Sequence, residues 1–383
     1  MTEKPPPLRI GAAGLGRAFS MMVPTFAGDA RVRLVAGADP RATARAKFES
    51  DFGARAFASV DELCADPEVQ VVYVATPHQF HAEHAIAAAA RGKHVLVEKP
   101  MALTMADCRA MARAAHQARV QLVVGHSHSF DAPIAKACAI IASGALGRLR
   151  MVSALNYTDF LYRPRRPEEL DSALGGGVVF NQAAHQVDVV RRLAASPVKT
   201  VRAFSGAWDP TRPTEGAYSA LLGFADGAFA TLVYSGYAHF DSDELAGWIG
   251  ESGARKDPAS YGAARRLLNG DELALKNERN YGGTGFRGAP KPQAHPHFGF
   301  VVASCERGDL RPLPTGVVIY ADDAVRTEPL PPPAVPRVEV IDELCAAVLD
   351  GRPPLHGGDW GTANLEACLA IVRSAREGRE IAL

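Results

Sequence analysis

"LRIGAAGLGRAF", residues 8–19, decides the fold. An apolar run from Leu8 to Ala13 reaches two glycines, Gly14 and Gly16, and passes straight into residues with helical spacing. A strand that turns through glycines into a helix is the opening unit of a doubly wound sheet. Four more short apolar runs follow in the first third: "RVRLVAGAD" (31–39), "VQVVYVATP" (69–77), "HVLVEKP" (94–100) and "VQLVVGH" (120–126). Between them, "ATARAKFESDFG", "HAEHAIAAAARG" and "MADCRAMARAAHQA" carry helical periodicity. Strands alternating with helices, joined by right-handed crossovers, predict a parallel sheet of the Rossmann type over residues 1–125.

The remainder, 126–383, reads differently. After a helical stretch at about 131–144 come longer alternating runs: "RLRMVSALNY", "VKTVRAFSGAW", "AYSALLGF", "AFATLVYSGY" and "ELAGWIGE". They predict a second α/β domain built on a large mixed, mainly antiparallel sheet with one face solvated or covered by a partner. Residues 276–297, rich in Gly, Pro and polar side chains, are expected to be a long loop. The break "PLPPPAVP" precedes closing helices at about 338–350 and 359–377.

Composition bounds the function. Lys plus Arg and Asp plus Glu both number 42, so the formal charge is zero, which argues against a general electrostatic hold on nucleic acid or an anionic membrane. The start has no basic segment followed by an apolar one, and no run reaches membrane-spanning length, so a cytoplasmic location is expected. Six scattered cysteines without a C-x-x-C pair suggest free thiols and no metal centre.

The segment Gly14, Leu15, Gly16, Arg17 and Ala18 is placed to receive a pyrophosphate at a helix N-terminus, although Phe19 stands where a third glycine is usual. Asp39 ends the second strand, 23 residues after Gly16, where an acid accepts from adenosine ribose hydroxyls. That favours NAD; Arg41 counts the other way, because a guanidinium there could take the 2′-phosphate of NADP. Thr76 and Pro77 end the third strand. His78, His81 and His84 follow, with His81 a candidate cofactor contact and the three otherwise read as caps or solvent-facing groups. His126, in "HSHSF", is a candidate substrate contact. Lys99 follows Glu98 at the end of a strand in a nucleotide-binding sheet, which places it where hydride would move. Burial and a cationic nicotinamide would lower its pKa from about 10.4, so that it could take a hydroxyl proton. The alternative is a surface lysine paired with Glu98. Lys99–Pro100 is a candidate cis peptide.

"GLGRAF", "EKPMALT" (98–104) and "GGGVVFNQAAHQVD" (175–188) together resemble the Gfo/Idh/MocA family of NAD(P)-dependent oxidoreductases. The resemblance implies a Rossmann domain, a C-terminal domain whose open sheet face makes a homodimer or homotetramer, and small hydroxylated substrates. It implies that Lys99 is the catalytic lysine and His185 the histidine of the D-x-x-x-H element. In this chain that element begins with Asn181, an amide that cannot exchange protons and can only orient. Asp188, one turn beyond His185, could orient the imidazole. With "TPHQFHAEH" and "SCERGDLRPLPTGVVIY", the chain is most similar to the dehydrogenases that oxidise phthalate 4,5-cis-dihydrodiol. Arg163, Arg165 and Arg166 of "LYRPRRPEEL" would grip the two carboxylates, as guanidinium binds carboxylate bidentately. A solvated basic loop balanced by Glu168, Glu169 and Asp171 is the other reading of that segment. Two alternatives stand beside the dihydrodiol: a sugar or inositol dehydrogenase of the same family, and a non-catalytic regulator that senses dinucleotide.

Overall fold

The computed structural model describes residues 5–268, 270–288 and 291–383. The first unit carries six parallel strands: β1 (Leu8–Ala13), β2 (Val32–Ala38), β3 (Arg55–Phe57), β4 (Val71–Val74), β5 (His94–Val97) and β6 (Leu122–Val124). Their order, β3-β2-β1-β4-β5-β6, is that of a dinucleotide-binding Rossmann sheet. Every residue of β4 is buried, as a central parallel strand covered on both faces requires.

The chain does not divide at one point after residue 125. The compact unit around the parallel sheet comprises Met1–His126 together with two returning segments, Ala274–Ala289 and Val335–Leu365. Each return is pinned within that unit. Thr25 Oγ1 donates to Pro336 O at 2.7 Å, and Val124 N donates to His356 O at 2.7 Å.

The second unit comprises Ser127–Leu273, Pro290–Ala334 and Glu366–Leu383. Its sheet contains β7 (Leu149–Tyr157), β8 (Val198–Gly206), β9 (Ala217–Phe224), β10 (Phe229–Ser235), β11 (Phe300–Cys305), β12 (Gly308–Leu313), β13 (Gly316–Ala321), β14 (Val325–Pro329) and β15 (Ile381–Ala382). The order is β14-β13-β12-β11-β7-β10-β9-β8-β15, and only the β7–β10 pairing is parallel among those described. Val152, Ala203, Leu222 and Leu232 point to the buried face, where they meet Val187 and Val190 of the helix Ala184–Ala194 and Ile371 of the helix Gly358–Glu377. The opposite face leaves Phe204, Leu221 and Phe229 exposed at 66%, 44% and 43%, an apolar surface of the kind that partner subunits cover.

Two expectations are corrected. "ELAGWIGE" is not a strand: Ser242–Ala246 form a 3-10 turn and only Ile249 makes a β-bridge, to Arg255. Buried Asp243, ion-paired to Lys256 at 2.9 Å, bends the segment locally. The expected loop at 276–297 begins inside a helix, Glu272–Arg279, and includes residues 289–290, which lie outside those described.

Candidate active site

In the first unit, β1 delivers the glycine turn. A Cβ on Gly14, whose φ is +90°, would sit 2.7 Å from Ala75 O, so only glycine lets this turn lie against the end of β4. At Gly16 the reverse holds: no atom lies within 4 Å of an added Cβ. Gly16 is the N-cap of the helix Arg17–Gly28, which has no side-chain cap and no acid in its first turn. Backbone N–H groups at a helix start form an anion site, and with open space beside Gly16 they fit the pyrophosphate of a dinucleotide. Phe19 is fully buried against Phe48 and Phe52, which accounts for the missing third glycine: an aromatic cluster fills the space a close helix–strand contact would otherwise occupy.

Asp39 is 6% exposed, and its carboxylate faces the glycine turn, accepting from Leu15 N at 2.9 Å. Arg41 lies back on the same carboxylate, with Nε 3.0 Å from Oδ1 and Nη2 3.0 Å from Oδ2. The two side chains that seemed to argue for different dinucleotides therefore form one ion pair.

At the far strand ends, His81 is fully buried, contrary to the expectation of a cap or solvent-facing group. Its Nε2 lies 2.9 Å from Thr76 O and its Nδ1 2.9 Å from Pro100 O, so one imidazole ties the end of β4 to the residue after Lys99. Burial lowers its pKa to about 4 against the pull of the two carbonyls, so the neutral ring carries one N–H and donates to one carbonyl while its other nitrogen lies against the second. His78 and His84 are half-buried, and His84 Nδ1 meets Thr76 Oγ1 at 3.0 Å. Glu98 is 8% exposed, with burial raising its pKa, and it accepts from Tyr73 Oη at 2.6 Å. Its carboxylate is thus directed into the unit, where the Lys99 charge and backbone N–H also act on it, and Lys99 is half-buried on a backbone held from both sides instead of exposed at the surface. The Lys99–Pro100 peptide is cis, and His126 is buried at the end of β6.

In the second unit, the run Gly175–Gly177 leads into a π-turn, Val179–Ala183, which passes into the helix Ala184–Ala194. Such turns recur at functional sites. Asn181 lies within it and donates from Nδ2 to Gly177 O at 2.8 Å. An aspartate would put an acceptor against that carbonyl, so the amide suits this turn. His185 is 8% exposed, its Nδ1 3.3 Å from Ser127 Oγ, its ring packed against His128 and Phe298 at centroid distances of 4.7 and 4.8 Å. His128 Nδ1 in turn lies 2.7 Å from Asp131 Oδ2. Asp188 accepts from Ser129 Oγ at 2.5 Å, and the Ser127 hydroxyl meets the imidazole at Nδ1. From sequence only His126 of "HSHSF" was singled out; Asp131 and Phe298 were missed, and the packing of Ser127 and His128 against His185 arises from tertiary placement.

The three arginines have different surroundings. Arg166 pairs through Nε with Glu168 at 2.9 Å, and its backbone N–H donates to Glu169 at 2.7 Å. Burial works against the charge of Arg163, but Glu251 and Asp159 outweigh it and raise its pKa. Arg165 stacks 3.6 Å above the Phe160 ring and donates from Nη2 to Phe160 O at 2.5 Å. Its Nε is buried with no acceptor, and burial together with the charges of Arg163 and Arg212 lowers its pKa to about 10, against the pull of Glu169. Both Arg163 and Arg165 act electrostatically on Tyr234, whose ring stacks 6.1 Å from Phe298, the neighbour of His185.

Residues 8–126 match the family model described as "Oxidoreductase family, NAD-binding Rossmann fold", and 134–254 match the "GFO/IDH/MocA C-terminal domain". The chain is 48% identical over 377 residues, covering 96% of it and 95% of the relative, to the 1-carboxy-3-chloro-3,4-dihydroxycyclohexa-1,5-diene dehydrogenase of Comamonas testosteroni. A crystal structure from Bordetella bronchiseptica RB50 superposes with a TM-score of 0.94 at 41% identity, covering 98% of this chain and all of that one. The aldose-aldose oxidoreductase of Caulobacter crescentus superposes at 0.74 with 25% identity, over 98% of this chain and all of its own. Sheet order, glycine turn and whole-length likeness agree, and the chain belongs to the Gfo/Idh/MocA family of NAD-binding oxidoreductases.

Proposed function

We propose that this dehydrogenase oxidises a cis-dihydrodiol of a carboxylated cyclohexadiene to the corresponding aromatic diol. The observation that carries the reading is Arg165: a half-buried arginine whose Nε–H is buried with no acceptor and whose charge is opposed by desolvation and by two neighbouring arginines. A cation in that state calls for an anion, and a ring carboxylate would supply it. The name of the Comamonas relative describes a dihydroxycyclohexadiene carrying one carboxyl group. Arg165 would take that carboxylate. The phthalate dihydrodiol is the finer form of the same substrate, in which Arg163 would exchange Asp159 for a second carboxylate, while Arg166 stays with Glu168 and Glu169.

The residues present fit NAD, which when bound supplies the hydride acceptor. Lys99 accepts the proton of the hydroxyl whose carbon is oxidised, which is the task its strand-end position suits. His185, fixed at Nδ1 by Ser127 and walled by His128 and Phe298, orients the diol by hydrogen bonding. Asn181 holds the turn that carries His185 and exchanges no proton. The ketone formed loses its remaining ring hydrogen by enolisation, and aromatic resonance favours that direction. The test is a turnover comparison of a carboxylated cis-dihydrodiol, its uncarboxylated analogue and a polyol such as inositol. The proposal expects the carboxylated diol to exceed the others in kcat/KM by about tenfold or more. Equal or better turnover of the polyol would replace it with the sugar-type reading.

A further inference from the structure

Arg41 is held by more than Asp39. Its Nη2 also donates to Leu15 O at 2.8 Å, within the glycine turn, and its Nη1 donates to Tyr281 O at 3.3 Å. Tyr281 belongs to the segment 274–289, some 240 residues further along the chain, which returns to the nucleotide unit. That return is firmly seated. Tyr281 is 1% exposed, its ring meets Phe19 edge-on at 5.1 Å and Phe286 at 5.3 Å, and its hydroxyl donates to Asp51 Oδ2 at 2.6 Å. Gly282, at φ +79°, brings the next residue so close that an added Cβ would sit 2.6 Å from Ala44 Cα.

We propose that the segment 274–289 is a cofactor-specificity element, in which Tyr281 is a positioning residue that holds Arg41 inward and so excludes dinucleotides bearing a 2′-phosphate. The carboxylate of Asp39 accepts at Oδ2 from Leu15 N and Arg41 Nη2, and at Oδ1 from Arg41 N and Nε. With about four lone-pair sites on a carboxylate, an arriving ribose hydroxyl must replace one Arg41 bond. The guanidinium keeps its hold on the Leu15 and Tyr281 carbonyls during that exchange. Four of its five N–H groups are already engaged, so a bidentate grip on a 2′-phosphate would cost at least one of these acceptors, while Asp39 itself repels the phosphate. Arg41 therefore reinforces the choice of NAD for as long as Tyr281 stays seated.

The test uses equilibrium binding of two adenosine fragments, 5′-AMP and adenosine 2′,5′-bisphosphate, to the full chain by calorimetry, so that it does not depend on any reading of the oxidised substrate. The wild-type protein should prefer 5′-AMP. Tyr281→Ala, which empties the aromatic seat, should raise affinity for the bisphosphate by about tenfold or more relative to 5′-AMP, the gain expected from one freed charge-assisted contact. Adding Arg41→Ala to that variant should remove the gain. Tyr281→Phe keeps the ring and loses only the bond to Asp51, so it should shift the ratio less and in the same direction; it decides the matter by itself if Tyr281→Ala does not fold. The ratio of kcat/KM with NADP to that with NAD should move in parallel. Wild-type preference for the bisphosphate, an unchanged ratio in the folded Tyr281 variants, or a gain that survives loss of Arg41 would each overturn the proposal.

Discussion

On the proposed substrate reading, replacing Arg165 with glutamine should leave the enzyme nearly blind to the carboxylate. The guanidinium makes two kinds of contact, and they predict different losses. Its stacking on Phe160 and its bond to Phe160 O belong to the folded unit and do not depend on the substrate, so losing them lowers stability and scales all substrates alike. Its buried orphan Nε–H faces no protein acceptor, and a charge-assisted bond from it to a carboxylate should contribute about 1.5 to 3 kcal/mol. That difference equals about 10- to 150-fold in kcat/KM. The quantity to measure is therefore a ratio: kcat/KM for a carboxylated cis-dihydrodiol over that for its uncarboxylated analogue, followed by the absorbance of reduced dinucleotide. The wild-type ratio should fall toward unity in Arg165→Gln. Arg165→Lys should recover only part of it, because an ammonium restores charge without the planar fork. The thermal midpoint of each variant reports the substrate-independent loss separately. A variant that loses activity toward both diols by the same factor would refute the assignment and leave Arg165 a structural cation.

Lys99→Ala should bind NAD nearly as the wild type does, by quenching of protein fluorescence, while turnover falls by about 10²- to 10⁴-fold, the range for a lost proton-transfer group; near-normal rates across several pH values would remove the lysine from the chemistry. Asn181→Asp should lower the thermal midpoint, since it trades a donor to Gly177 O for an acceptor and costs about 1 to 3 kcal/mol; an unchanged or raised midpoint would contradict that account of the turn. His81 titrates near 6.5 when unfolded and about 4 when buried, so the unfolded chain binds the extra proton in between. The stability this gives is present above about pH 6.5 and is lost as pH falls toward 4, by up to about 3 kcal/mol, and His81→Gln should show a shallower acid dependence in urea unfolding.

The parallel sheet was readable because each of its main strands is an uninterrupted apolar run bounded by turn residues, and Gly14, Asp39 and Lys99 all lie where such strands end. The second sheet was readable only in its first half. β11, β12 and β14 mix Cys, Asp, Arg and Thr into runs of five or six residues, too weak a pattern to register; β13, the apolar run Gly316–Ala321, was not read as a strand, and "ELAGWIGE" carried a strand-like pattern overruled by buried Asp243 and its pair with Lys256. Pairings across long separations stayed hidden for a different reason. Nothing local to Arg41 announces the carbonyl of Tyr281, and nothing local to "RPRRPEEL" tells which arginine finds a carboxylate nearby. Burial of His81 and the Ser127–His185 contact likewise arise from tertiary placement, which spacing along the chain does not encode.

The nucleotide unit is discontinuous, and this bears on how the protein is made. A ribosome releases the six strands of the parallel sheet first, yet the surface they present is finished only when residues 335–365 emerge. Until then Gly28 lacks Val335, which would lie 3.3 Å from a Cβ added there, Thr25 has no Pro336 carbonyl, and Arg31 has no Asp342. The intervening second unit must therefore be synthesised while part of the first unit's surface is uncovered, the state in which folding intermediates are prone to aggregate. The same order of events sets the limits of dissection: a fragment ending near residue 126 contains every strand of the sheet and should nonetheless aggregate, because it lacks both segments that return to the unit, 274–288 and 335–365.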